Sequence, residues 1–136
     1  MSDKTNDFAI ADELFTKAQT NLEAAKYLFK GSYLEGAISR AYYAVFHAAR
    51  AILLLLGERP RSHEGTLQLF GLRVVKSGLV DSKSGRIFRI LYQNRQTADY
   101  AILAIIEESE ANDMINKAEE FLKEMKELNN QLKRNS

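Results

Sequence analysis

Between residues 33 and 56 the chain reads YLEGAISRAYYAVFHAARAILLLL, and a helix built from it is apolar on most sides. Tyr42, Val45, Ala49, Ile52 and Leu56 recur at spacings of three and four and form one stripe, which Phe46 and Leu53 widen. A helix of this kind belongs at the centre of a bundle or in an oligomer interface. Its polar groups are not scattered. Arg40, Tyr43, His47 and Arg50 fall within about 80° of one another on a 3.6-residue wheel.

The flanking sequence supplies the other helices. Ala11, Leu14, Ala18, Leu22, Ala25 and Leu28 form a stripe that predicts a helix from about Asp7 to Lys30, ended by Gly31. SYLE then reads as a capping box, with Ser32 as N-cap and Glu35 three residues on. GERPRS, holding the only proline, breaks the chain at 57–62. A short helix is expected over 63–76, with Leu67, Phe70 and Val74 inward and Gly78 supplying its left-handed C-cap. DSKSG opens a fourth helix reaching Tyr100 or slightly beyond. The fifth begins at Glu108 or Ser109, with Ala111, Ile115, Ala118, Leu122, Met125, Leu128 and Leu132 on its apolar face. The expected fold is therefore all-α. At 136 residues the chain is read as one domain, 1–136, with about 1–6 and 133–136 frayed.

Composition narrows the function classes. With no cysteine, disulfides and thiolate metal sites are excluded, which fits a reducing cytoplasm. His47 and His63 alone do not make a zinc site, so neither a metal nor a cofactor is expected. No secretory signal is visible in MSDKTNDFAI, and the apolar run AILLLL is far below the ~20 residues that span a bilayer. Net charge is +1, but residues 50–98 hold nine Lys/Arg against three Asp/Glu, and residues 99–136 hold five against nine. Lys83, Arg86, Arg89 and Arg95 follow one another with no intervening acid, a pattern of either solvated helix faces or a surface for phosphates.

The segment RQTADY, residues 95–100, breaks the apolar rule. Phe88, Leu91, Arg95, Ala98 and Ile102 share one stripe, so a guanidinium stands at a core position with Asp99 one turn on. Buried arginine is costly unless paired. The pair is thus either a structural ion pair, with Tyr100 packed and its hydroxyl at water, or part of a groove that receives an anion. His63, in PRSHEG, sits at a helix start and reads as a cap or surface histidine, although backbone N–H groups there favour anions.

The segment AISRAYYAVFHAARAILLLLGERPRSHEGTLQLFGLRVVKSGLVD followed by RQTADY resembles the HEPN domain family, in particular its short, free-standing prokaryotic members. The resemblance implies an up-and-down bundle of four main helices plus a short one, usually a homodimer. It also implies partnership with a minimal nucleotidyltransferase in a toxin–antitoxin-like pair. Many other HEPN domains are metal-independent ribonucleases carrying an arginine, an adjacent polar residue and a histidine four to six positions after the arginine. Here Arg95 and Gln96 match, but positions 99, 100 and 101 are Asp, Tyr and Ala.

Two readings follow. In the first the chain is a nucleotide- or RNA-binding interaction protein without catalysis, with Arg40, Tyr43, His47, Arg50, Arg86, Arg89, Arg95 and Tyr100 as ligand-binding candidates. In the second it is a ribonuclease toxin using Arg95 with Asp99 or His47. In that reading His47 and Arg95 share a cleft between helices two and four. Asp99 is a poor base, because a neighbouring guanidinium favours its ionised form. The sequence reading therefore leans away from an enzyme.

Overall fold

A computed structural model of the chain describes residues 4–100 and 105–136. It is an all-α bundle: α1 (Lys4–Lys30), α2 (Leu34–Leu55), α3 (His63–Phe70), α4 (Ser82–Tyr100) and α5 (Glu108–Arg134), with a π-helical turn (Gly71–Val75) continuing α3. Among the described residues there is no strand, and no helix is long and apolar enough to cross a membrane. The possible extension of α4 past Tyr100, and Ile102 at the end of its stripe, lie outside the described residues.

The stripes bury as their spacing requires. Ala11, Ala18 and Ala25 on α1, Ala118 and Met125 on α5, and Phe88 and Leu91 on α4 are all fully buried. α2 is the axis of the bundle, packed by α1, α5, α4 and α3 together. Ala37, Ala41, Tyr42, Ala44, Val45, Ala48, Ala49, Ala51, Ile52 and Leu53 have no exposure. Of the two places its apolar coverage allowed, α2 takes the centre. The chain's own helices cover it, so its coverage no longer argues for an interface between subunits.

Three local expectations are corrected. The capping box does not form. Ser32 adopts φ 65° as the left-handed residue that closes α1, with Ser32 N–H bonded to Phe29 O at 3.0 Å and Tyr33 N–H to Leu28 O at 2.9 Å. Tyr33 becomes the N-cap of α2, without a side-chain cap bond. Gly31 is still needed, since a Cβ there would meet the Tyr33 ring at 2.9 Å. The helix expected over 63–76 does not stay α-helical. After Phe70 it widens, and Lys76 N–H reaches Gly71 O at 2.9 Å. The inward set was nearly right: Phe70 and Val74 are fully buried, while Leu67 is half-buried. Gly78, at φ 86°, closes this segment as expected.

Candidate functional site

Arg95 is the buried cation of the bundle, only 9% exposed. Its stripe position on α4 aims it at α2. The guanidinium carbon lies 4.9 Å from the ring centre of Tyr42 and 5.7 Å from that of Tyr43, so two aromatic faces help offset its lost hydration. Nη1 donates to Tyr43 Oη at 3.3 Å and to Asp99 Oδ2 at 3.4 Å. Charge-assisted bonds are ordinarily about 2.7–2.9 Å, so both contacts are long. Nε is buried and has no partner. Arg95 is therefore held in place but incompletely satisfied.

Beside it, α2 and α4 enclose an open groove of about 710 Å³ lined by Glu35, Ser39, Arg40, Tyr43, Ala98 and Asp99. Arg40 stands at its edge, tied to Asn21 of α1 through Nη1–H···Oδ1 at 3.2 Å. Arg40, Tyr43 and Asp99 line this groove, and Arg95 lies behind Tyr43 and Asp99, bonded to both. Tyr100 does not line this groove; its ring is 73% exposed.

The other candidates go elsewhere. His47 stands beyond the Tyr43 ring, 6.2 Å between centroids, and next to Phe46. Burial lowers its pKa to about 4, with Arg50, Lys17 and His63 adding to the effect. Arg95 is not among the charges that act on it, because Arg95 meets α2 one turn earlier, at Tyr43. Among the described residues no hydrogen bond joins His47 to Arg95, and His47 does not line the α2–α4 groove. Arg50 lies over Phe46, its guanidinium carbon 5.6 Å from the ring centre, and lines a separate pocket with Ile10, Leu14 and Glu58. Arg86 and Arg89 line a third cavity with Leu67 and Gly71. Nine residues separate Arg86 from Arg95, about two and a half turns, which places them on opposite sides of α4. The run of four cations is therefore not one face. Lys83 pairs with Glu120 of α5 at 2.7 Å.

The histidine that does approach Arg95 is His63, the first residue of α3. Ser62 caps that helix by accepting the Gly65 N–H at 2.8 Å, which orients His63 toward α2. Its ring stacks on Phe46, centroids 4.3 Å apart and 13° from parallel. Nδ1 lies 2.7 Å from Tyr42 Oη. Tyr42 is fully buried, and burial raises its phenol pKa, so the hydroxyl keeps its proton. Among the described residues His63 Nδ1 is its one hydrogen-bond partner. The hydroxyl therefore donates to Nδ1, and the remaining ring proton of neutral His63 sits on Nε2. Burial lowers the His63 pKa, helped by the positive charges of Arg95 and Arg50, so the ring is neutral at pH 7. In that tautomer Nε2 of His63 is a hydrogen-bond donor.

The HEPN domain matches residues 11–128, most of the chain. The chain belongs to the HEPN domain family. A protein of Methanocaldococcus jannaschii named "Putative toxin" is 41% identical over 109 residues, covering 80% of this chain and 81% of its own length. A UPF0332 protein of Thermotoga maritima is 37% identical over 118 residues, 87% of this chain and 89% of its own. A second M. jannaschii "Putative toxin" is 32% identical over 115 residues, 85% and 78% of the two chains. In this HEPN domain the sequence reading missed Tyr42 and His63 as parts of the Arg95 environment. Tyr42 looked like plain core from its stripe. His63 is 32 positions from Arg95, and only the sharp turn at 57–62 brings α3 back to α2.

Proposed function

We propose that this chain is a single-domain, cytoplasmic HEPN protein that works as the phosphate-binding half of a toxin–antitoxin-like pair. It binds RNA or a nucleotide in the α2–α4 groove and associates with a minimal nucleotidyltransferase. The observation that carries this reading is Arg95: a buried guanidinium with an unpartnered Nε and two long hydrogen bonds beside an open groove. A phosphate in the groove would meet Arg40 directly and feel the charge of Arg95 behind Tyr43 and Asp99, with Tyr43 a flat aromatic surface for a base. Asp99 then acts as a positioning residue that fixes the guanidinium plane. The resemblance to nucleotidyltransferase-partnered HEPN proteins and the names of the two M. jannaschii relatives support the toxin–antitoxin context. A homodimer is part of this proposal.

The test is fluorescence anisotropy with a labelled single-stranded RNA and with AMP. Binding should weaken with salt and drop at least about tenfold, roughly 1.4 kcal/mol, in Arg95→Leu and in Arg40→Gln. Equal affinity in those variants would overturn the reading. Co-expression with an adjacent nucleotidyltransferase reading frame, followed by affinity purification, tests the partnership separately.

A ribonuclease reading has one observation in its favour: a histidine, His63, does stand near Arg95, bridged by Tyr42. Attack by a ribose 2′-hydroxyl needs a proton acceptor, and Nε2 of His63 already holds its proton. The geometry thus fits phosphate binding better than cleavage. Loss of RNA cutting in both Arg95→Ala and His63→Ala, with thermal stability retained, would reverse that preference.

A further inference from the structure

We propose that the cavity between the π-helical turn and α4 is a second ligand site, taking a small amphipathic anion: an apolar or aromatic body carrying one phosphate or carboxylate. The cavity holds about 360 Å³ and is lined by Leu67, Phe70, Gly71, Val75, Arg86 and Arg89. That volume lies within the roughly 300–1,000 Å³ of ordinary small-molecule sites, and its lining mixes apolar side chains with Ser82, Arg86 and Arg89.

Three independent features converge on it. The first is Gly71. Its φ of −59° and ψ of −43° are those of any helical residue, so the backbone does not require glycine. A helical glycine costs about 0.5–1 kcal/mol relative to alanine. Gly71 lines the cavity, and a Cβ at this position would meet nothing within 4 Å, so neither backbone nor packing explains the glycine. The second is the π turn itself, a local widening of the helix over Gly71–Val75, of a kind that recurs at functional sites. The third is charge. Arg86 donates only to Ser82 Oγ, at 3.1 Å, and Arg89 has no hydrogen-bond or ion-pair partner among the described residues. The acids nearby are already engaged: Asp81 accepts the Lys83 N–H at 2.8 Å, Glu120 pairs with Lys83, and Glu124 accepts from Ser84. Two guanidinium groups without an acidic partner, beside Leu67 and Val75, select an anion with a hydrophobic body. This site lies on the opposite side of α4 from Arg95 and does not depend on the function proposed for that groove.

The experiment is an NMR titration of uniformly ¹⁵N-labelled protein with 1-naphthyl phosphate, 2-naphthoate and inorganic phosphate. Both naphthyl probes should shift amides of residues 67–75 and 82–89, and inorganic phosphate should bind at least about tenfold more weakly. Whichever naphthyl probe is tighter names the head group. Gly71→Leu, which fills the cavity, and the double variant Arg86→Gln/Arg89→Gln should each abolish these shifts, while Arg95→Leu should leave them intact. Gly71→Ala controls for folding, since its small side chain fits the open space and the helical backbone. Unmoved amides in 67–89 at millimolar probe, equal binding of inorganic phosphate, or undiminished binding by a folded Gly71→Leu protein would each overturn the site.

Discussion

Arg95 and His47 show how one buried ionisable side chain is tolerated in two different ways. Arg95 keeps its charge and is held by two tyrosines and Asp99; His47 loses its charge because burial lowers its pKa to about 4. Removing the arginine should therefore be tolerated by the fold: Arg95→Leu is expected to hold the urea midpoint, because relief from burying a cation offsets the space left by the shorter apolar side chain. Asp99→Ala should instead lower stability by about 1 kcal/mol, a modest figure because the Asp99 carboxylate is 30% exposed and its bond to Arg95 is long. The two histidines also set a pH dependence. Both have folded pKa values below the unfolded value of about 6.5, so the unfolded chain binds the extra protons. Their contribution is complete above about pH 7.5 and is lost as pH falls through 6.5 toward 4. Urea titrations at pH 7.5 and 5 should show the fall, and His47→Phe should flatten it.

At the scale of the element, the ends of the helices carry the tension between local preference and packing. Ser32 holds a left-handed conformation that costs a residue with a side chain roughly 1–2 kcal/mol. Ser32→Gly relieves that strain but gives the unfolded chain more freedom, so a net gain of about 0.5 kcal/mol is expected, read as a small rise in Tm. Ser62 works in the opposite sense. Its hydroxyl accepts the Gly65 N–H at 2.8 Å, and Ser62→Ala should cost about 1 kcal/mol. Because that cap also holds the start of α3, the same variant should loosen His63 against Phe46 and Tyr42, visible as broadening of the His63 ring signals by NMR.

For the whole molecule, α2 is the element on which the others depend. Small side chains let neighbouring helices approach it closely: Ala41, Ala44, Ala48 and Ala51 have no exposed surface. Enlarging one of them, as in Ala48→Leu, should cost about 1–3 kcal/mol by overpacking, measured by denaturant titration. The outer charges divide the surface in a way that net charge does not reveal. One cation, Arg40, lies at the α2–α4 groove, and a second cationic region lies across α4 at Arg86 and Arg89. RNA affinity at the groove should fall with salt at a log–log slope of about −0.7 for each phosphate neutralised, and Arg40→Gln should make that slope shallower.

The helices, their inward faces and the central place open to α2 were legible in the sequence, because three-four periodicity is a local property that burial then obeys. RQTADY likewise announced a cation where a core residue belongs, and the Arg95–Asp99 pair follows from a spacing of four along one helix. The capping box failed because Ser32 and Glu35 satisfy a local pattern that the closing turn of α1 overrides. The grouping of the site was decided only in three dimensions. Arg86, Arg89 and Arg95 look like one basic run in the chain, yet helical rotation sends them to opposite faces of α4. His47 shares a stripe with Tyr43 but, among the described residues, no hydrogen bond with Arg95. His63 reaches the site from a distant turn, and its proton position depends on Tyr42, whose hydroxyl has no other partner among the described residues. Periodicity along a helix says which residues turn inward; which of them meet depends on how the helices are rotated and crossed, and that is settled by packing.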